Sequence, residues 1–343
     1  MKDESSRVKK GVVILIIVGT LCYFGMRWYS RKYPEDARFN RPAPNGQRVS
    51  AKGNPEPGVL YEKDIILEIS KGKEATVKAT STPQGQGSGV KSQEPELKAY
   101  DTGPKAQDTI RNIELAKLHL KEGKKYKARN VLSDAYFTEI SQARRKQIKE
   151  SLDKLNEELV FSPNPSEDAD VYVVKPGDTL SKIAKRYNTS YELIMRLNKK
   201  QNTRLKVNEQ LKVLCGKISI LVDKSDFALT VLLDGHYIKQ YHVGTGIAGK
   251  TPVGTFVVED KLKKPVWYSP EGVYKYGHPK NILGTRWLGF KDKPGLHGYG
   301  IHGTAQPGSI GKESSMGCIR MFNEDVEELY DFAVPGTEVI IQE

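Results

Sequence analysis

Cysteine is scarce in this chain: Cys22, Cys215 and Cys318 are the only three among 343 residues. Three is too few for a disulfide framework, and their spacing resembles no zinc ligand pair. Cys22 lies in an apolar stretch, so any bridge could join only the other two. Negative charge is also in short supply, with 42 acidic against 54 basic side chains and a net charge of +12. The shortage is local, because residues 216–343 hold 15 acidic and 14 basic side chains. A nucleic-acid-gripping active site in that final part is therefore excluded. The upstream excess suits anionic lipid headgroups or an acidic wall polymer, or simply solubilises helices.

Long apolar runs are absent but for one. Gly11 to Met26 (GVVILIIVGTLCYFGM) is uncharged, and Arg27, Trp28 and Tyr29 follow it as a snorkelling cation and interfacial rings. As a helix it spans about 24 Å, slightly short of a bilayer core, and its flanks supply the rest. No small-x-small cleavage site follows, and Leu21 rather than a small residue precedes Cys22. An uncleaved anchor over 11–29, after a polar tail at 1–10, is the expectation.

Residues Gly244 to Thr251 read GTGIAGKT, formally the phosphate-cradling pattern G-x-x-x-x-G-K-[ST]. That loop must leave a strand and open into a helix whose N-terminal amides hold phosphate. Tyr237 to Val243 could be the strand, but Pro252, Val253, Gly254, Thr255 and Phe256 read as a turn and another strand. No apolar strand ending in Asp follows to hold magnesium. No nucleotide, metal or other cofactor is expected, and the glycines need another explanation.

A chain of this length implies two or three compact units with connectors. Residues 30–106 are rich in Pro, Gly, Ser and Gln, a flexible linker with STPQGQGSG at its clearest. Residues 107–160 switch to helical periodicity, with Ala128, Val131, Leu132 and Ala135 on one stripe and Ile148, Leu152, Leu155 and Leu159 on another. Gly123 separates two helices there. AKLHLKEGKKYKARNVLSDAYF is similar to one tetratricopeptide-type hairpin, which would offer a surface to a partner protein. A single unit favours a plain helical spacer.

Residues 170–214 read as strand, turn at Pro176-Gly177, two short helices, strand. Asp178 is the expected cap of the first helix and Ser190 of the second. YVVKPGDTLSKIAKRYN, followed by spaced leucines, resembles a LysM domain, a small βααβ module binding N-acetylglucosamine-containing glycans. Asn208 stands where that family usually has Gly, and Asn tolerates positive φ. The resemblance implies glycan contacts at Gly177, Asp178 and Thr179.

The chemistry is concentrated in LHGYGIHGTAQPGSIGKESSMGCIRM, residues 296–321. A cysteine after Ser315-Met316-Gly317 with histidine upstream is a nucleophile–base pair, and the thiol needs a base or cation to ionise. If 297–302 is extended, His297 and His302 face opposite sides. Gly298 and Gly300 then share the side of His302 and keep it open, so His302 is the general base and Cys318 the nucleophile. The Gly303 carbonyl is the expected orienting group for the imidazole. Gly317 permits a sharp turn, and amides at Gly317 and Cys318, with Gly303, would support an oxyanion. Ser315, Arg320 and Tyr299 are the expected pocket residues, Arg320 by attracting a carboxylate.

At IHGT (301–304) and SMGCIR (315–320) the chain resembles the L,D-transpeptidase family over residues 216–343. GTGIAGKTPVGTF resembles that family's strand–turn–strand, and NILGTRWLGF another of its blocks, with Arg286 and Trp287 structural. The resemblance implies a β-rich catalytic domain with the cysteine on a loop over a sheet. It implies acyl transfer in peptidoglycan at the L-diamino acid–D-Ala bond of a stem peptide, through a Cys318 thioester, to an amine. Carbapenem acylation of this thiol is implied too. Met316 stands where some members carry a second histidine. Alternatives are an L,D-carboxypeptidase using water, and a non-catalytic wall-binding scaffold. The expectation is a multidomain protein of the bacterial cell envelope: transmembrane helix, linker, helical segment, LysM domain and catalytic domain, the last held outside the cytoplasm. Its partners are stem peptides, glycan strands and membrane.

Overall fold

A computed structural model describes residues 104–343, apart from position 140. The expected tail, membrane anchor and nearly all of the linker lie outside the described residues. Among the described residues no helix is long and apolar enough to cross a membrane.

Three helices come first: α1 (Pro104–Lys121), α2 (Lys125–Thr138) and α3 (Gln142–Asn156), the last running into a π-helical turn at Glu157–Phe161. Helix α1 thus starts inside the stretch read as linker. Gly123 turns the chain between α1 and α2 at φ +71°. Ser141 caps α3, its hydroxyl accepting from the Arg144 amide. The Ile148, Leu152 and Leu155 stripe therefore belongs to a third helix, which the hairpin resemblance did not anticipate.

The βααβ module follows as β1 (Ala169–Val173), α4 (Leu180–Tyr187), α5 (Tyr191–Leu197) and β2 (Gln210–Leu214), with β1 and β2 antiparallel. Thr179, not Asp178, caps α4: its hydroxyl accepts from the Lys182 amide at 3.2 Å. The Asp178 carboxylate closes the preceding turn instead, accepting from the Tyr172 hydroxyl at 2.7 Å and the Lys175 amide at 2.8 Å. A side chain engaged two positions before the helix cannot also reach its first free amides. Ser190 caps α5 as expected, and Asn208 adopts φ +67°.

The remaining chain builds one mixed eight-stranded sheet. Its strands are β3 (Ile218–Asp223), β4 (Ala228–Leu233), β5 (His236–His242), β7 (Gly254–Lys263), β10 (Arg286–Phe290), β11 (Gly300–His302), β13 (Ile319–Arg320) and β14 (Glu338–Gln342). They lie in the order β13-β11-β10-β7-β14-β3-β4-β5. Two short ladders stand outside it: β6 (Thr245–Gly246) with β12 (Glu313–Ser315), and β8 (Trp267–Ser269) with β9 (Gly272–Tyr274). Helix α6 (Asn323–Phe332) packs Val326 and Leu329 into the core beside Leu288, Ile301 and Ile319.

The helical segment is not a spacer. Strand β5 ends the sheet and would present unpaired backbone groups to solvent, a liability that proteins cover. Helices α2 and α3 cover it. Ser133 accepts from the Tyr237 amide at 2.8 Å, and the Asn156 amide donates to the carbonyls of Tyr237 and Ile238 at 3.0 Å each. Leu132, Ile148, Leu152 and Leu155 join the same core cluster as the sheet residues. A buried network then ties on the module: Arg129 bonds both oxygens of Asp168 at 2.7 and 3.0 Å and Asn156 at 3.2 Å. Lys212 of β2 donates to the carbonyls of Leu159 and Ser162. Burial pushes the Lys212 ammonium down to about 8 against the opposing pull of Asp168.

Removing the Asn156 side chain strands two buried carbonyls and one guanidinium nitrogen. Asn156→Ala is expected to lower the unfolding free energy by about 2–3 kcal/mol, read from urea denaturation followed by Tyr fluorescence.

Candidate active site

The site is assembled where β11 and β13 run parallel, pairing Ile301 with Ile319 and His302 with Arg320. Alternation along each strand puts Ile301 and Ile319 into the core and turns His302 and Arg320 to the other face. Cys318, two residues before Arg320, shares that face and sits diagonally from His302. Both side chains expected to do the chemistry are therefore carried by adjacent strand ends at the edge of the sheet.

His302 is only 2% exposed. Its Nδ1 lies 2.5 Å from the Gly303 carbonyl, so Nδ1 carries the proton and Nε2 is left as the basic lone pair. The Trp287 indole, on the paired residue of β10, stacks on the imidazole at 5.9 Å between centroids. Burial, with the Arg320 charge adding to it, pushes the imidazole down to about 4 against the pull of the Gly303 bond. Above that pH it is a neutral base.

The expected openness beside His302 takes another form. His297 lies outside β11, exposed and bonded to Asp292 at 3.1 Å. Gly298 has φ +71°, so strand alternation does not reach back to it. Gly300 lacks a side chain because the Trp287 ring fills that space: a Cβ there would lie 2.9 Å from the indole. The glycine seats the ring that covers the histidine.

Cys318 is partly exposed and forms no disulfide. Cys318 Sγ donates to the Gly298 carbonyl at 3.7 Å, and among the described residues no hydrogen bond joins it to His302. Burial raises the thiol above its ordinary range, with the Gly300 amide and Arg320 opposing. The resting pair is thus neutral thiol and neutral imidazole.

The turn that carries Cys318 explains GTGIAGKT. Gly317 adopts φ +134°, and a Cβ there would lie 2.6 Å from the Tyr299 ring. Fully buried Thr251 accepts from the Gly246 amide at 2.7 Å and donates to the Gly317 carbonyl at 2.9 Å. Arg320 and Gly244 exchange both backbone bonds, and Thr245 donates to the Lys312 carbonyl. The glycine-rich loop is a brace under the nucleophile; a 3₁₀ turn at Ile247–Gly249 and then β7 follow where a phosphate loop requires a helix.

Among the proposed backbone donors, two are committed. The Gly317 amide donates to Ser315 Oγ at 3.0 Å and the Gly303 amide to the Arg286 carbonyl at 3.2 Å. Among the described residues the Cys318 amide has no acceptor, so of the three it alone is free for an oxyanion. Ser315 does not line a pocket: it is 2% exposed and donates to the Cys318 carbonyl at 2.6 Å. Tyr299 is half-buried with its ring against Gly317. Nε of the Arg320 guanidinium is buried, and among the described residues no acceptor meets it. Sequence reasoning missed Thr251, whose only signal was a place in the rejected motif, and Lys250, whose ammonium lies 3.7 Å from Met316 Sδ at the rim. In the module, Asp178 and Thr179 line a groove with Tyr191 and Leu205, while Gly177 supplies the turn and its carbonyl accepts from Lys182. Among the described residues no cluster of His, Cys, Asp and Glu could hold a metal.

A cysteine on a braced glycine turn, a neutral buried imidazole and an unpaired cation on one face of a mixed sheet describe a thiol acyl-transfer enzyme. Comparison with known proteins gives the family. Residues 217–341 match the YkuD L,D-transpeptidase catalytic domain, and residues 172–214 match the LysM domain. The chain is 41% identical over 129 residues to the putative L,D-transpeptidase YqjB of Bacillus subtilis, covering 37% of this chain and 72% of that protein. It is 33% identical over 178 residues to the putative L,D-transpeptidase YkuD of the same organism, covering 50% and 97%. The catalytic domain of an E. faecium L,D-transpeptidase aligns at 23% identity over 37% of this chain and 97% of that one, with a TM-score of 0.31. The chain belongs to the L,D-transpeptidase family and is an L,D-transpeptidase enzyme that carries a LysM domain.

Arg320 lowers both the thiol and the imidazole. Its removal by Arg320→Gln is therefore expected to raise both. Iodoacetamide alkylation of Cys318 at pH 8 should slow about three- to tenfold, while the His302 titration followed by NMR moves up from about 4.

Proposed function

We propose that Cys318 and His302 carry out acyl transfer on peptidoglycan stem peptides. The observation supporting it most directly is the parallel pairing of β11 and β13, with His302 oriented by Gly303 and the Gly317 turn before Cys318 braced by Thr251. The thiol leaves Gly298, gives its proton to His302 Nε2, and attacks the carbonyl of the L-centre of the diamino acid at stem position three. The Cys318 amide donates to the oxyanion. As the tetrahedral intermediate collapses, the C–N bond breaks and His302 returns its proton to the departing D-alanine amine. A thioester remains. The side-chain amine of a neighbouring stem, losing a proton to His302, then attacks it and displaces the Cys318 sulfur. The product is a 3→3 cross-link, or a wall protein attached to the stem.

Arg320 is the group suited to a substrate carboxylate, because its buried Nε has no acceptor and its guanidinium can take a carboxylate. The basic upstream region and the apolar run at 11–29 support a membrane anchor holding the enzyme beneath the wall, in the envelope and outside the cytoplasm.

Intact-mass analysis of wild type and Cys318→Ala tests the assignment. Incubation with tetrapeptide muropeptides or a carbapenem is expected to add a covalent mass to the wild type and none to the variant. Adducts on both proteins, or on neither, would reject Cys318 as nucleophile, and neither would restore the scaffold reading. Dimers among the released products indicate an amine acceptor; tripeptide without dimers would make the enzyme a carboxypeptidase. Acylation should persist down to about pH 5 and fail as His302 protonates near 4, because its folded value lies below the ordinary imidazole range.

A further inference from the structure

The LysM module packs on the catalytic domain through helix α5. Leu193 and Leu197 of α5, one turn apart, are each 1% exposed and belong to the catalytic core cluster, whereas Ile194 between them belongs to the module's own core. Around these leucines the contact is polar. Ser190, the cap of α5, also donates to the Asp331 carbonyl of α6. Arg196 bonds Asp331 at 2.7 and 2.9 Å and lies 3.8 Å from Glu328, which Lys239 of β5 meets at 2.7 Å. Lys263, the last residue of β7, pairs with Glu192 at 2.9 Å and approaches the Tyr191 hydroxyl at 3.4 Å.

Tyr191 is also a wall of the module's groove, a cavity of about 440 Å³ lined with Asp178, Thr179, Ser181, Thr203 and Leu205. One residue therefore belongs both to the glycan groove and to the contact with the catalytic sheet. Lys263 shares a face with Lys261, which pairs with Leu288 and so lies on the core side; Cys318 looks out from the other side. Strands β10 and β11 stand between β7 and β13, so the groove contact and the nucleophile are offset laterally by three strand spacings, about 15 Å, and the path between the two faces is longer than that.

We infer that the docked module is a fixed half of the substrate site rather than a tethered anchor. The preferred substrate is then a stem peptide still attached to a glycan strand long enough to occupy the groove and reach Cys318 around the sheet. A flexible tether would let any strand length serve, through effective concentration alone. A fixed docking admits only strands that span the separation. This inference rests on the transpeptidase reading.

The test is a series of tetrapeptide substrates on glycans of increasing length, offered to the full-length protein, with kcat/KM for Cys318 acylation as the readout. The expected result is a rise of about tenfold or more once the strand is long enough to run from the groove around the sheet to Cys318, a path longer than the ~15 Å lateral offset. Arg196→Glu, which sets a third carboxylate against Asp331 and Glu328, should flatten the series while leaving the shortest substrate within about twofold of wild type. The exchange Arg196→Asp with Asp331→Arg should restore it. Leu197→Asp is a second undocking variant, scored where the shortest substrate still turns over. A flat series in the wild type overturns the inference, as does full length dependence in both undocking variants, or an equal loss on short and long substrates. No acylation of the wild type by any stem would defeat the transpeptidase reading instead, a different outcome from a flat series.

Discussion

Two residue pairs hold the chemistry together: Ile301 with Ile319, and His302 with Arg320. The first pair is buried among Val326, Leu329 and Leu288, and that burial fixes the register of β13 on β11. A slip of one residue would turn Ile319 out and Arg320 into the core, so the register is strongly specified. Because the apolar residues alternate with the reactive ones, the hydrophobic core decides where sulfur, imidazole and guanidinium face. Strand β13 is only two residues long and ends the sheet, which is why it needs a brace. The Gly244–Thr251 loop provides it through the paired Gly244–Arg320 backbone bonds and the Thr251 hydroxyl.

The opposite end of the sheet has the same problem and a different answer. Strand β5 is also an edge, and there the cover comes from a separate helical segment through Ser133 and Asn156. The LysM module fills a third side through Leu193 and Leu197. Segments that composition and periodicity separate into modules thus share one apolar core. Arg129, Asp168 and Lys212 sit where helices, π turn and module meet. Such a buried ionic junction contributes geometry more than stability, since desolvation offsets much of its attraction.

Much of this was legible in the sequence where the cause is local. Gly123 and Asn208 tolerate positive φ, and Ser190 precedes an apolar run. The nucleophile and its base could be read because Cys318 stands among glycine and polar residues rather than in an apolar strand. The rest depends on partners far along the chain. Thr251 reaches Gly317 across 66 positions, and Asn156 reaches β5 across 81. In sequence Asn156 is one more polar residue at the end of a helix, indistinguishable from its solvated neighbours. The Asp178 reading failed for a related reason: either Asp178 or Thr179 could cap α4, and the competing Tyr172 hydroxyl decided it.

Electrostatics sets the order of events at the site. Arg320 favours the thiolate and opposes the imidazolium, so for transfer of a proton from Cys318 to His302 its two effects work against each other. Burial opposes both charged forms as well. A standing ion pair is therefore not favoured, in agreement with a thiol that rests on the Gly298 carbonyl. In the reaction we propose, proton transfer becomes favourable only when the negative charge leaves sulfur for the oxygen of a tetrahedral intermediate, within reach of the Cys318 amide. The imidazolium formed at that moment is strongly acidic because of the burial that held His302 near 4. It gives its proton readily to the departing amine. The same burial that makes His302 a reluctant base in the resting enzyme makes it an effective acid in the step that breaks the C–N bond.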